Sequence, residues 1–229
     1  MQIVKNTADA KWREPELIMK KRNILFIDFN GVLSYNKFWF SLENVNHPLS
    51  EYFQKIEFFL FKQHKDALVS WMRGEVTSEQ VHALIAQNIG IDANDLYKIF
   101  IDDCAHIDIS VEILTRVSTL RKYYHCILAT DNMDSFHRFT LPHQPILSKT
   151  FDVIHSSALL GKCKADACGE YFLETIAACG AEVGNCVLLD DSAITCRIFS
   201  ELGGQVYNTK TEQDAINALD LVINYVEKI

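Results

Sequence analysis

Proline and glycine are scarce, at 4 and 9 of 229 residues. Usage that far below average argues against a loop-rich sandwich and for long regular elements. Basic charge is also in deficit: 22 Lys and Arg stand against 30 Asp and Glu, a net charge of −8 with a pI near 5.5. No basic stripe is available for phosphate backbones, so nucleic acid is not expected as a partner. The seven cysteines are odd in number and contain no Cys-x-x-Cys pair. Cys126 and Cys186 sit inside apolar runs, so the thiols are expected to be reduced and mostly buried, in a cytoplasmic protein. Cys163 and Cys168 lack the paired spacing of a structural zinc site. No apolar run approaches the ~18 residues of a membrane span, and the first 23 residues are too polar for a signal peptide. No membrane partner is expected. Oligomeric state is not legible.

What is present is ordinary globular composition, 48% hydrophobic and 23% charged. On a prior of roughly 150 residues per domain, the length suits one large domain or a domain carrying an insert. Five short, continuous apolar runs read as buried parallel strands: Ile24–Asp28, Cys126–Thr130, Phe151–Ile154, Cys186–Asp190 and Gln205–Tyr207. Helices are predicted over Ala165–Cys179, closed by Gly180, over Ala193–Leu202, closed by Gly203, and over Thr211–Lys228, opened by a Thr-Glu-Gln-Asp capping box. Alternation of this kind specifies βαβ units and a parallel sheet, the α/β class.

Between the first and second strands lie nearly a hundred residues with no strand signal. Helices are predicted there over Leu49–His64, from the Thr77 capping box to Gly90, over Asn94–Asp103, and over Ser110–Tyr123. The expected architecture is a Rossmann-like three-layer parallel sheet core, residues 1–35 and 112–229, with an inserted α-helical module at 36–111. Phe38, Trp39, Phe40, Phe58, Phe59 and Phe61 are expected to form mainly the core of that module rather than a substrate pocket.

In an open parallel sheet, ligands bind beyond the carboxyl ends of the strands. The first strand ends in Asp28-Phe29-Asn30-Gly31-Val32-Leu33, the second in Thr130-Asp131-Asn132, and the fourth in Asp190-Asp191-Ser192. Gly161-Lys162-Cys163-Lys164 opens the intervening helix. Clustered carboxylates repel one another and raise each other's pKa unless a cation intervenes. A hard divalent ion, most simply Mg²⁺, suits such a site, with Lys164 and the Thr130 hydroxyl left for phosphate charge. Asp131 is either a helix N-cap or a substrate-side residue.

Taken in order, Asp-x-x-Gly-Val-Leu at 28–33, Thr130, Gly-x-x-Lys at 161–164 and Asp-Asp at 190–191 resemble the four motifs of the haloacid dehalogenase superfamily. The resemblance covers the chain after residue 22 and points to the phosphatase-like branch with a helical cap after the first motif. It implies that Asp28 is a nucleophile forming an aspartyl-phosphate, and that Asp28, the carbonyl of Asn30 and Asp191 hold Mg²⁺ with support from Asp190. It further implies that Thr130 and Lys164 hold the phosphoryl group of a small phosphorylated substrate. Lys162 is the alternative motif lysine, since Ala165 stands where the family has proline.

Two departures bear on activity. Family phosphatases carry an aspartate two residues after the nucleophile as acid and base, where this chain has Asn30. An amide has no proton to give at neutral pH, although it can donate a hydrogen bond. Thr195 stands where many relatives have a further Asp or Asn near the metal. The expected activity is a slow phosphohydrolase. The alternatives are a catalytically impaired protein binding a phosphorylated ligand or partner, and a dehalogenase-type hydrolase, against which Asp190-Asp191 counts.

Overall fold

The computed structural model describes residues 23–228. The polar N-terminal stretch of the signal-peptide argument therefore lies, but for Asn23, outside the described residues. Five strands form one all-parallel sheet: β1 (Ile24–Ile27), β2 (His125–Thr130), β3 (Val153–Ser156), β4 (Cys186–Asp190) and β5 (Gln205–Asn208). Their order is β3-β2-β1-β4-β5, with Ile27 level with Leu128 on one side and Leu189 on the other. The central strand is thus the one that carries Asp28 out of its end.

Both faces of that strand are apolar because both are covered. Leu25 and Ile27 join the core made by α5 (Val111–Leu120), α6 (Pro145–Thr150) and α10 (Glu212–Val226). Ile24 and Phe26 face α8 (Glu170–Cys179) and α9 (Ala193–Glu201). Phe26 meets Tyr171, Phe172 and Phe199 edge-on at 5.3–6.2 Å, the arrangement that ring quadrupoles favour. Full burial of each such side chain contributes about 1.5–3 kcal/mol, so the sheet is held rigidly under its carboxyl rim.

Between β1 and β2 the chain builds a second apolar core from α1 (Phe53–Phe58), α2 (Lys65–Met72), α3 (Ser78–Ile89) and α4 (Ala93–Ala105). Trp39, Trp71 and Phe100 are fully buried at its centre. Of the six aromatics expected to pack there, Trp39 and Phe59 are buried, Phe38, Phe40 and Phe61 are half-buried, and Phe58 is exposed. The capping box at Thr77 forms as expected: Thr77 accepts from the Gln80 N–H and Gln80 returns a bond to the Thr77 N–H. Gly90 closes α3 at φ +75°. The Thr211 box on α10 likewise pairs Thr211 with Asp214.

Several boundaries differ from expectation. The stretch 49–64 is not one helix. A 3₁₀ turn leads into α1, and Phe59–Gln63 widens into a π-helical turn that lets the adjacent Phe59 and Leu60 both reach the core. The helix expected from Ala165 begins at Glu170, because Ala167, Cys168 and Gly169 all take left-handed backbone conformations. Asp166 accepts the Cys163 N–H and pairs with Arg73, holding that turn open. β3 starts at Val153 because Phe151 is drawn into the core and Asp152 caps β2 through the Cys126 N–H. Five of the seven cysteines are buried. No helix among the described residues is long and apolar enough to cross a membrane.

Candidate active site

Asp28 projects from the end of β1 and is 7% exposed. Its Oδ1 accepts the Phe29 N–H at 2.7 Å, and its Oδ2 lies 2.8 Å from Lys164 Nζ. The same ammonium donates to Asp190 Oδ2 at 2.6 Å, while Asp190 Oδ1 accepts the Ser192 N–H at 2.8 Å. Oxygens of Asp28, Asp190 and Asp191 all lie within 4.8 Å of one another. β1 and β4 are neighbours, so two sequence positions far apart end side by side.

Electrostatics follow from that crowding. Burial pushes the Asp28 carboxyl well above its ordinary range; Lys164 opposes the shift and Asp190 adds to it. Asp191 is raised by burial and by Asp190. Burial also works against the Lys164 charge, but Asp190, Asp28 and Asp131 outweigh it and hold the ammonium firmly protonated. One cation therefore serves the two buried acids Asp28 and Asp190 with Asp191 close by, and the cluster gains from a second positive charge. Its donors are carboxylate oxygens, the chemistry that hard divalent ions take.

Gly31 permits this arrangement. It sits at φ +76°, and a Cβ there would stand 2.5 Å from Asp191 Cγ. Only glycine lets the loop after β1 pass that close to Asp191 without strain. Thr130, at the end of β2, is buried, and its Oγ1 has no hydrogen-bond partner among the described residues. A buried hydroxyl without a partner is a donor waiting for an acceptor.

Asn30 is held by a residue the sequence did not mark. Asn132 Oδ1 accepts the Met133 N–H at 2.9 Å, which turns the Asn132 amide nitrogen toward Asn30 Oδ1, also at 2.9 Å. Asn30 must therefore present its own NH₂ elsewhere. The Asn132 N–H donates to Ser157 Oγ, whose hydroxyl donates to the Met72 carbonyl at 2.6 Å. A chain of hydrogen bonds thus runs from the helical insert to the residue beside Asp28.

Asp131 is not a helix N-cap. Its Oδ1 accepts the Lys164 N–H at 2.9 Å, because the Gly161–Lys164 turn folds back over the end of β2. Lys162, the alternative lysine, points away and pairs with Glu170 and Glu174 on α8. Thr195 lies in the first turn of α9, its N–H bonded to Ser192 Oγ, and stands among none of the clustered acids. Lys210 approaches from beyond β5 and donates to the Asp191 backbone carbonyl. Asp134, just after β2, accepts from Trp71 Nε1 (2.8 Å), the Ser78 hydroxyl (2.6 Å) and Arg138, tying the insert to the sheet rim. Neither Lys210 nor Asp134 carried any motif signal.

A cavity of about 310 Å³ opens between the rim and the insert, lined by Asn30 and Asp131 below and by Phe38, Phe61, Leu68 and Met72 above. A larger groove of about 810 Å³ follows α4, and no residue from the ends of β1, β2 or β4 lines it. We place the candidate site beside the smaller cavity, which Asn30 and Asp131, close in sequence to Asp28 and Thr130, border.

No protein-family model and no curated protein sequence matches the chain. Solved structures do. A predicted HAD-like family hydrolase from Porphyromonas gingivalis superimposes with a TM-score of 0.68 at 19% identity, covering 89% of this chain and 98% of the other. The HAD family enzyme BT-2542 from Bacteroides thetaiotaomicron, as an aspartate-to-alanine mutant in complex with magnesium and inorganic phosphate, gives 0.66 at 20% identity over 81% and 93%. A dehalogenase with an intermediate complex gives 0.64 at 12% identity over 90% and 97%. The chain therefore has the haloacid dehalogenase-like α/β fold.

Proposed function

We propose that this protein is an Mg²⁺-dependent phosphohydrolase acting on a small phosphorylated metabolite through an aspartyl-phosphate. One observation carries the reading: Asp28, Asp190 and Asp191 converge around Lys164 beside the partnerless Thr130 hydroxyl. The magnesium and phosphate bound by BT-2542, which shares the fold, support the same choice of ion and ligand.

The residues fit the ion. Asp28, the Asn30 backbone carbonyl and Asp191 would hold Mg²⁺, and Asp190 would support them through Lys164. The ion would supply positive charge for the phosphoryl oxygens and for ionisation of Asp28, whose burial otherwise favours the proton. Thr130 donates its free hydroxyl to a phosphoryl oxygen, and the Lys164 ammonium holds Asp28 in line for attack. An Asp28 oxygen forms the new bond to phosphorus as the ester P–O bond breaks. The departing alkoxide takes its proton from water, since Asn30 has none to give and contributes only an N–H donor. Water then attacks the phosphorus of the aspartyl-phosphate, the bond to Asp28 breaks, and inorganic phosphate leaves with the surplus proton going to solvent.

Residues 36–111 act as a cap over a core whose described parts are 23–35 and 112–228, excluding bulk water from the site. Scattered, mostly buried cysteines fit a cytoplasmic location. Asn30 favours a second reading, a protein that binds a phosphorylated ligand and turns it over poorly. Turnover separates the two. Purified protein assayed on an aryl phosphate should release phosphate only with Mg²⁺, and Asp28→Asn should abolish it. Metal-independent turnover, or turnover that survives in Asp28→Asn, overturns the assignment; absent turnover favours the second reading.

A further inference from the structure

The cavity over Asn30 and Asp131 has an unusual wall. Phe38 and Phe61 lie nearly parallel, 11° apart with centroids at 6.5 Å, and Leu68, Met72 and Met133 continue the apolar lining. One carboxylate interrupts it. Glu57, on α1, lines the cavity half-buried and makes no hydrogen bond or ion pair with any described residue. The charged groups nearby are already engaged, and Asn30 and Asn36 use their side-chain oxygens and keep their amide N–H donors. Lys37 Nζ is paired with Glu43 at 2.9 Å and lies over the Phe53 ring, and Asn36 Oδ1 accepts the Asp108 N–H at 2.7 Å. Asp131 is held by the Lys164 backbone.

This lining discriminates between leaving groups. A sugar or polyol needs a donor or acceptor for each hydroxyl, and this wall would leave most of them unpaired at a cost of about 1–3 kcal/mol each. A second anion would meet Glu57 with no free cation on the wall to answer it. A cation meets a desolvated carboxylate flanked by aromatic faces and thioethers, the surroundings that hold ammonium groups. Burial raises the Glu57 carboxyl, and Lys37 and Lys62 pull it back without contacting it, so an incoming cation relieves an existing penalty.

Resting on the phosphohydrolase reading, we infer that the substrate is a phosphomonoester of a short amino alcohol, its cationic nitrogen held by Glu57 between Phe38 and Phe61. Glu57 is then a specificity residue. The phosphoryl group lies beyond the Asn30 and Asp131 end, toward Thr130 and Lys164, and the cavity of about 310 Å³ sets a limit of a few carbons between the two charges.

The test uses the wild-type protein with Mg²⁺ and two phosphonates of equal shape, 2-aminoethylphosphonate and n-propylphosphonate, which this chemistry cannot hydrolyse. Titrations are run at a pH where both are dianions and the amine is still charged. The aminoethyl compound should bind at least about tenfold tighter, as a charged hydrogen bond provides, and Glu57→Gln should bring the ratio close to one. Equal affinities, or a ratio that survives Glu57→Gln, overturn the inference. The aryl phosphate assay fails or succeeds independently: turnover there without a cation preference here removes only the leaving-group assignment. If neither phosphonate nor inorganic phosphate binds, the phosphate site itself is wrong and both readings fall.

Discussion

Lys164 is the most consequential single side chain in the site, and Lys164→Met isolates its contribution. Its ammonium is 3% exposed and lies 2.8 Å from Asp28 and 2.6 Å from Asp190, which are themselves 7% and 0% exposed. Methionine keeps most of the volume, so packing changes little, but two buried carboxylates lose their shared partner. Removing one member of a buried ion pair costs about 3–5 kcal/mol, since the charge left behind has no solvent to turn to. For a chain of this length that corresponds to a fall in Tm of about 6–20 °C. The deficit should depend on pH in a defined direction. Asp28 already has its carboxyl raised by burial, and without the cation it rises further above its unfolded value. A group with a raised folded pKa contributes stability in its protonated form, so the variant's deficit is full at neutral pH and shrinks as pH falls into the carboxylate range. Urea denaturation of both proteins at neutral and mildly acidic pH measures this. Mg²⁺ should also recover part of the loss at neutral pH by supplying charge to the same oxygens. A deficit below about 1 kcal/mol at neutral pH, the range of an exposed pair, or one that does not change with pH, would refute the shared-cation account.

Three further outcomes are expected. Asn30→Asp should raise turnover of an alkyl phosphate over that of an aryl phosphate by about 10²-fold, the lower end of acid catalysis, because the Asn132 amide donates to one carboxylate oxygen and favours its ionised form; equal gains on both substrates would show that protonation was not limiting. Gly31→Ala should weaken Mg²⁺ binding, because its Cβ meets Asp191 Cγ at 2.5 Å with φ at +76°, and an unchanged Mg²⁺ titration midpoint would contradict that. His82 is buried, takes a hydrogen bond from Trp39 Nε1 and places its Nδ1 on the Ser78 carbonyl; burial lowers its pKa to about 4. The folded protein therefore resists protonation that the unfolded chain accepts near pH 6.5, so stability falls from there down through pH 4, by about 3 kcal/mol from this group. His82→Gln should flatten that limb in urea melts across the range, and an identical slope in the variant would assign it elsewhere.

The residues that sequence alone could mark share one property: their role follows from position at a strand end or helix start. Asp28, Thr130, Asp190 and Asp191 each follow an apolar run, and Thr77, Gly90 and Thr211 are local capping signals whose partners lie within four residues. Burial on both faces makes parallel strands continuous in hydrophobicity, so the α/β class was legible from five short runs. The helix expected from Ala165 was misjudged because its first turn answers to Arg73, 93 positions from Asp166.

Tertiary structure decided what no local pattern encodes. The choice between Lys162 and Lys164 rests on which ammonium the Gly161–Lys164 turn carries inward to Asp28 and Asp190. Asp131 left the helix-capping role because that same turn brought a backbone N–H to it. Asn132, Ser157, Asp134, Lys210 and Glu57 are ordinary polar residues in sequence, and gain meaning only from partners, or the want of one, set by long-range packing. Strand ends are written in hydrophobic runs of a few residues. Hydrogen-bond partners and desolvation depend on atoms brought together from as far as 102 positions away, and only the folded chain specifies them.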